Sequence, residues 1–265
     1  MKSNVQSEDS PRLVEGIHLV LSIVMLFSMG ACAVNKSVPL DQGFWDDNKP
    51  VVGVVLVSVP DPEVTVKISS TTPFGRQKTM VMSRRYDQDF DEEPSVLRDQ
   101  RRLWHYLNSH EIKAFAGLKD IFAQGLDARG FRVVAIDEYI DLNLLPRFTP
   151  PASTHARKDY RGMSQAKGLD LLIVLNVQKY GTYCGYLDQR NISTGVTAAI
   201  TGEMVDMRTN RLLWRRAHRA GWDCESASSG CDEPETYPQI LKELGNALSE
   251  AAAGAADDFF SGAPQ

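Results

Sequence analysis

Seven consecutive residues, Val51-Val52-Gly53-Val54-Val55-Leu56-Val57, are apolar without interruption, and Pro50 and Pro60 bracket them. A surface helix or a one-sided strand would break such a run with polar residues. A short, continuous β-branched stretch suits a strand covered on both faces, the usual setting of a strand with parallel neighbours. Parallel neighbours require crossover connections, so the rest of the chain must supply helices between further apolar strands.

It does. Pro94-Ser95 opens a helix in which Val96, Leu103 and Leu107 share a face, with Asn108-Ser109 as a break. Phe115, Leu118, Phe122 and Leu126 recur at three and four residues, the pattern of an amphipathic helix. Gly130 is placed to end it in the left-handed conformation. Phe131 to Ile136 reads as the next strand, and Asp137 to Arg157 as a long surface loop containing three prolines. Asp159 can cap a short helix with Tyr160 and Met163 that ends near Gly168. Leu169 to Val177 is another apolar strand. Gly195 to Met207 and Arg211 to Ala220 are two more, joined by a tight turn at Arg208-Thr209-Asn210, where Asn tolerates positive φ. Pro238 opens a final helix lined by Ile240, Leu241, Leu244, Leu248, Ala251, Ala255 and Phe259.

Residues 61–95 read as an insertion. Val64, Val66 and Ile68 alternate with Thr65 and Lys67, and Thr79 to Met82 could return as the second strand of a hairpin. Arg84 to Glu93 reads as an exposed, charged loop. The fold class expected is α/β: a single mixed sheet, parallel β-α-β-α-β followed by an antiparallel meander, flanked by helices.

Gly16 to Ala31 is nearly free of charge and ends at Cys32. The run is short for a membrane-spanning helix, which needs about 20 apolar residues, and well sized for the apolar region of a secretory signal. Met29-Gly30-Ala31-Cys32 resembles a bacterial lipobox, in which an apolar residue and two small ones precede a lipidated cysteine. That resemblance implies cleavage before Cys32 and acyl chains on its sulfur, an anchor stable where one chain would be marginal. The alternative is an uncleaved signal anchor. The expected division is residues 1–31 as signal peptide, 32–50 as lipid anchor and flexible linker, and 51–262 as the domain. Ala33 rather than Asp after the cysteine implies, by the lipoprotein sorting rule, the outer membrane of a Gram-negative envelope.

Gly168-Leu169-Asp170, the continuation Val177-Gln178-Lys179-Tyr180-Gly181-Thr182, and the later Val205-Asp206-Met207-Arg208-Thr209-Asn210-Arg211-Leu212-Leu213-Trp214 resemble a family of outer-membrane lipoproteins of unknown function that includes a meningococcal surface lipoprotein. A wider circle is similar in layout: the Lpo-type activators of penicillin-binding proteins, the curli secretion lipoprotein and the N-terminal domain of TolB. The resemblance implies an envelope location and a non-catalytic binding role. The motif residues Tyr180, Gly181, Asp206, Asn210 and Trp214 read as structural: Asp206 accepting backbone N–H groups in its own turn, Gly181 allowing a bend or close approach, Trp214 covering the sheet or a helix end.

The chemistry-bearing residues point the same way. Gly162-Met163-Ser164-Gln165-Ala166 looks like a nucleophile elbow, but the preceding Arg157-Lys158-Asp159-Tyr160-Arg161 is not a core strand, which that motif requires. His105 and His110 are five apart, and His155 and His218 stand alone, so no metal set is recognisable. There is no glycine-rich phosphate loop. The net charge of −5 falls to −4 without residues 1–31 and gives no global attraction to nucleic acid. Arg215-Arg216-Ala217-His218-Arg219 is a cationic cluster of more interest. Strand alternation sends Arg216 and His218 to one face and Arg215 and Arg219 to the other, as a binding surface for an anionic partner or as a charge-protected edge. With Cys32 acylated, Cys184, Cys224 and Cys231 remain. Closure of the short polar loop by Cys224–Cys231 is favoured, Cys184–Cys224 is the rival, and no bond is the third alternative.

The expected protein is therefore an envelope-tethered, non-enzymatic binding module without cofactor or metal. Its partners are the bilayer, through Cys32, and another envelope protein. The alternatives are an oligomeric assembly subunit and, remotely, an envelope hydrolase.

Overall fold

The computed structural model describes residues 37–45, 49–57, 59–71, 77–84, 95–112, 114–149, 154–163, 168–187, 190–224 and 233–263. The signal segment, Cys32, Cys231, Ser164 and the charged stretch before Pro94 lie outside them. A compact unit begins at Ser37.

The strands are β1 (Val51–Val57), β2 (Glu63–Thr71), β3 (Gln77–Arg84), β4 (Arg132–Ile140), β5 (Leu171–Leu187), β6 (Arg190–Asp206) and β7 (Leu212–Asp223). The helices are α1 (Ser95–Ser109), α2 (Ala114–Asp127) and α3 (Tyr237–Phe260). All seven strands form one mixed sheet with β5 at its centre. On one side of β5, β1 runs parallel along the first half (Val52↔Leu171 to Leu56↔Leu175) and β2 parallel along the second (Glu63↔Gly181 to Ser69↔Leu187). β4 extends the sheet beyond β1 in parallel, and β3 extends it beyond β2 antiparallel. On the other side, β6 and then β7 follow as an antiparallel meander.

The expected fold class is therefore the observed one, but the sheet is longer than the sequence reading made it. Within the stretch expected as an insertion, the described residues 63–71 and 77–84 are β2 and β3, an antiparallel pair built into the sheet. β1 and β2 act as one interrupted strand. Pro60 and Pro62 fall at the break, where a missing N–H and a fixed φ stop the ladder.

Alternation sorts the side chains into two layers. Val52, Val54, Leu56, Val64 and Val66 share one core with the sheet-facing sides of the helices, including Leu103, Leu107, Leu118, Phe122, Leu244, Leu248 and Phe259. Gln100 of α1 is buried and donates its amide to Val64 O, which ties that helix to β2. The opposite face carries Val55, Val57, Leu172, Val174, Val205 and Leu212, covered by the loop 141–163 through Ala156, Tyr160, Leu142, Leu145 and Met163.

Within the segment 33–50, expected as a flexible linker, the described residues 37–45 are docked on the domain. Val38 exchanges both backbone hydrogen bonds with Arg215 on the β7 edge, at 3.0 and 2.9 Å. Trp45 is 4% exposed and packs among Phe131, Phe259 and Phe260. Burying an aromatic of this size outweighs the polar composition of the residues around it.

Candidate functional site

The motif residues converge on a latch between the β6–β7 turn and the loop 141–163. Asp206 Oδ1 accepts the N–H groups of Arg208 and Thr209, both at 2.8 Å, which closes the turn on itself. That turn delivers Asn210 at φ 61°, a left-handed conformation that Asn tolerates better than other residues with a side chain. Its side chain is fully buried. It donates to Ala156 O at 3.2 Å and Lys158 O at 2.9 Å, and accepts from Tyr160 N–H at 3.1 Å. Nearby, Gly168 adopts φ 62° and Asp170 accepts Val51 N–H at 2.8 Å, so the motif before β5 sets the start of β1.

Gly181 sits where the backbone of β2 comes close: a Cβ there would lie 1.9 Å from Glu63 O. Tyr180 is buried edge-on to Phe115 at 5.2 Å. Burial, helped by Asp61, pushes its phenol up to about 12. Trp214 is 1% exposed and lies against Gly202, where a Cβ would come within 2.5 Å of the indole, and against Phe259. These residues position backbone and core.

The β7 cations divide between the faces as alternation requires. Arg216 and His218 point to α3 and share Asp258, at 3.6 and 2.8 Å. Gly254 leaves room for the imidazole. Arg215, 8% exposed, pairs with Glu203 at 2.9 Å on the opposite face. Arg219 is exposed and lines a shallow cleft with Tyr183 and Trp222. The run thus does not form one continuous cationic surface: three of its four basic side chains are held by carboxylates of the same chain.

Both disulfide pairings weighed from the sequence are corrected. Cys224 is a free, buried thiol, and Cys184 is disulfide-bonded. Cys184 lies on β5 opposite Thr194 of β6, and Cys224 donates its N–H to Thr194 O from the end of β7. One strand therefore separates them. Two strand spacings make about 9.5 Å, beyond the reach of a disulfide. Burial, with Glu243 and Asp223 nearby, pushes the Cys224 thiol up to about 11. The thiolate is the reactive form, so the folded protein at pH 8 should react with Ellman's reagent far more slowly at Cys224 than the unfolded chain does. Because the folded pKa lies above the unfolded one, the stabilising contribution of this thiol is present below about 9 and lost as pH rises through about 11. A melting temperature that rose over that alkaline interval would contradict the assignment.

Sequence reasoning missed a cleft lined by several cations. It lies in the loop 141–163, has a volume of about 710 Å³, and is lined by Arg147, Phe148, His155, Arg157 and Lys158 among others. The legible signal was the basic run Arg157-Lys158, ten residues after Arg147 in the sequence. Among the described residues, no group of three His, Cys, Asp or Glu side chains is placed to hold a metal ion, and no helix is long and apolar enough to cross a membrane.

The fold and latch together define a class: a mixed-sheet α/β domain in which, among the described residues, three long helices pack on one face and a pinned loop on the other. No family model and no curated protein matches the chain. Solved structures do match. The lipoprotein GNA1162 from Neisseria meningitidis aligns at 11% identity over 76% of this chain and 99% of its own, with a TM-score of 0.33. Protein XCC0632 from Xanthomonas campestris aligns at 10% identity over 85% of this chain and 92% of its own, with a TM-score of 0.34. PelC from Paraburkholderia phytofirmans, crystallised as a dodecamer, aligns at 11% identity over 87% of this chain and 97% of its own, with a TM-score of 0.33.

Proposed function

We propose that the chain is an envelope lipoprotein whose α/β domain is held at the outer membrane by acyl chains on Cys32, faces the periplasm, and serves as a non-catalytic binding module for another envelope protein. The observation that carries this reading is the spacing between anchor and fold. Met29-Gly30-Ala31-Cys32 ends five residues before Ser37, where the compact unit begins. Five residues span at most about 18 Å, and Val38 is already fixed to β7. With lipid on Cys32, that reach would keep the first residue of the domain near the lipid surface. The basic residues of β7 support a binding rather than a catalytic role: Arg215 pairs with Glu203, and Arg216 and His218 share Asp258, so three of the four are held by carboxylates of neighbouring elements.

The reading has a consequence for sulfur chemistry. The chain has four cysteines, Cys224 is free and Cys184 is bonded. If Cys32 carries lipid, Cys231 must be the partner of Cys184. Cys32→Ser should abolish labelling with radioactive palmitate, leave the precursor mass and shift the protein out of the membrane fraction. Non-reduced peptides of the native protein should contain Cys184 linked to Cys231. That bond closes a loop whose reduction should cost about 4 kcal/mol. Unchanged fractionation of the serine variant, or a peptide joining Cys184 to Cys32, would remove the basis of the proposal.

A further inference from the structure

Between β4 and β5 the loop folds back as a short ribbon. Phe148 N–H donates to Arg157 O and Asp159 N–H donates to Pro146 O, each at 2.9 Å, so that Arg147 and Lys158 face one another across an antiparallel bridge. The bonds flank the pair rather than join it. This is the non-hydrogen-bonded geometry, in which opposite side chains approach most closely, with Cα atoms about 4.5 Å apart. Like charges directly opposite destabilise such a pair. Here a guanidinium nonetheless faces an ammonium, and Arg157 lines the same cleft. Lys158 Nζ reaches a carbonyl, Leu145 O, at 3.1 Å. Arg147 and Arg157 form no ion pair with a described carboxylate.

The ribbon cannot easily relax this repulsion. Asn210 grips it at Ala156, Lys158 and Tyr160, and Ala156 and Tyr160 are sunk in the core beneath. Arg161 is already engaged: it pairs with Asp159 at 2.6 Å and lies 5.2 Å over the Phe148 ring. The Phe148 ring in turn stacks on His155 at 4.9 Å and 9°. The cleft beside the ribbon is lined by Arg147, Arg157 and Lys158 together with the stacked Phe148 and His155, and among the described residues no Asp or Glu lines it.

We propose that this cleft binds a phosphate ester, with the anionic group between Arg147, Arg157 and Lys158 and the organic body against the Phe148–His155 stack. Guanidinium forks match phosphate oxygens bidentately, and a doubly charged anion would convert the repulsion across the ribbon into attraction. The volume of about 710 Å³ exceeds what a bare inorganic anion fills and falls in the range of small-molecule sites. The inference stands apart from the acyl anchor, so failure of either leaves the other intact.

The test is titration of the full chain, purified in non-ionic detergent, with inorganic phosphate, glycerol 3-phosphate and dihexanoyl phosphatidic acid, followed by calorimetry and melting temperature. At least one ester should bind saturably at one site and raise the melting temperature. Its affinity should drop at least about tenfold in the Arg147→Ala/Arg157→Ala variant, each bidentate contact being a charge-assisted pair, and stay unchanged in Arg219→Ala. Tighter binding of the lipid analogue than of glycerol 3-phosphate identifies a headgroup as the source, and equal binding identifies a soluble ester. Both arginines are exposed, so the double variant should melt at or above the wild-type temperature, which separates recognition from folding. Unsaturable binding, binding that survives the double substitution, or a response to inorganic phosphate alone would overturn the proposal.

Discussion

Asn210→Ala should destabilise the domain by about 2–4 kcal/mol, one of the two largest effects expected from a single substitution. Two costs combine. Alanine in the left-handed region costs about 1 kcal/mol, and Asn210 sits there at φ 61°. The amide also serves three backbone groups, at Ala156, Lys158 and Tyr160. Removing it leaves the Tyr160 N–H, itself buried, without its partner, and an unsatisfied buried group costs about 1–3 kcal/mol. Two companion variants separate the terms. Asn210→Gly should relieve the backbone cost and recover about 1 kcal/mol relative to alanine. Asn210→Asp should keep the acceptor for Tyr160 while aiming a carboxylate at two carbonyls. Urea unfolding measures all three. A loss below about 1 kcal/mol for Asn210→Ala would mean that the loop is held by its other contacts and the latch is incidental.

Phe259→Ala should cost about as much, near 4 kcal/mol, for a different reason. The ring is fully buried and packs against Phe44, Trp45, Phe122, Trp214 and Phe260, with centroids 5.0 to 6.2 Å away. Truncating a buried Phe costs about 3–5 kcal/mol through lost transfer energy and the cavity left behind. The hole would open beneath Trp45, the side chain that fastens the segment before β1 to the core. Limited proteolysis should therefore cut residues 37–50 in the variant well before global unfolding, while wild type resists there. Cleavage that began elsewhere would show that the segment is held mainly by the Val38 bridge.

The legible parts of the fold were those in which one period persists. The β1 run, the heptad-like spacing of Phe115, Leu118, Phe122 and Leu126, and the long stripe from Ile240 to Phe259 each kept their phase, and each is the element expected. β5 did not keep its phase. Ile173, Leu175 and Val177 face the helices, but beyond the exposed Gln178 and Lys179 the helix-facing residues become Tyr180, Cys184 and Tyr186. One extra residue at the bulge shifts alternation from odd to even positions. A single-phase reading therefore stops at Val177, and the polar, glycine-bearing second half passes for a loop. Trp45 was illegible for a related reason: one large ring amid polar neighbours carries no periodic signal. At the candidate site, the roles of Asp206 and Asn210 were partly readable because turns demand particular side chains. The cleft was not, because Arg147 meets Lys158 only through a ribbon pairing that no local pattern announces.

The paired interruptions at the middle of the sheet carry an evolutionary consequence. From Leu56 to Glu63 the chain takes seven steps while β5, from Leu175 to Gly181, takes six. In an unbroken strand, gaining or losing one residue would turn every following side chain inside out. Here the prolines on one strand and the bulge on its neighbour fall side by side, so an indel can be absorbed locally. Each half of the sheet is free to drift in length without scrambling the other, and descendants of this chain can remodel the distal half while inheriting the proximal one intact.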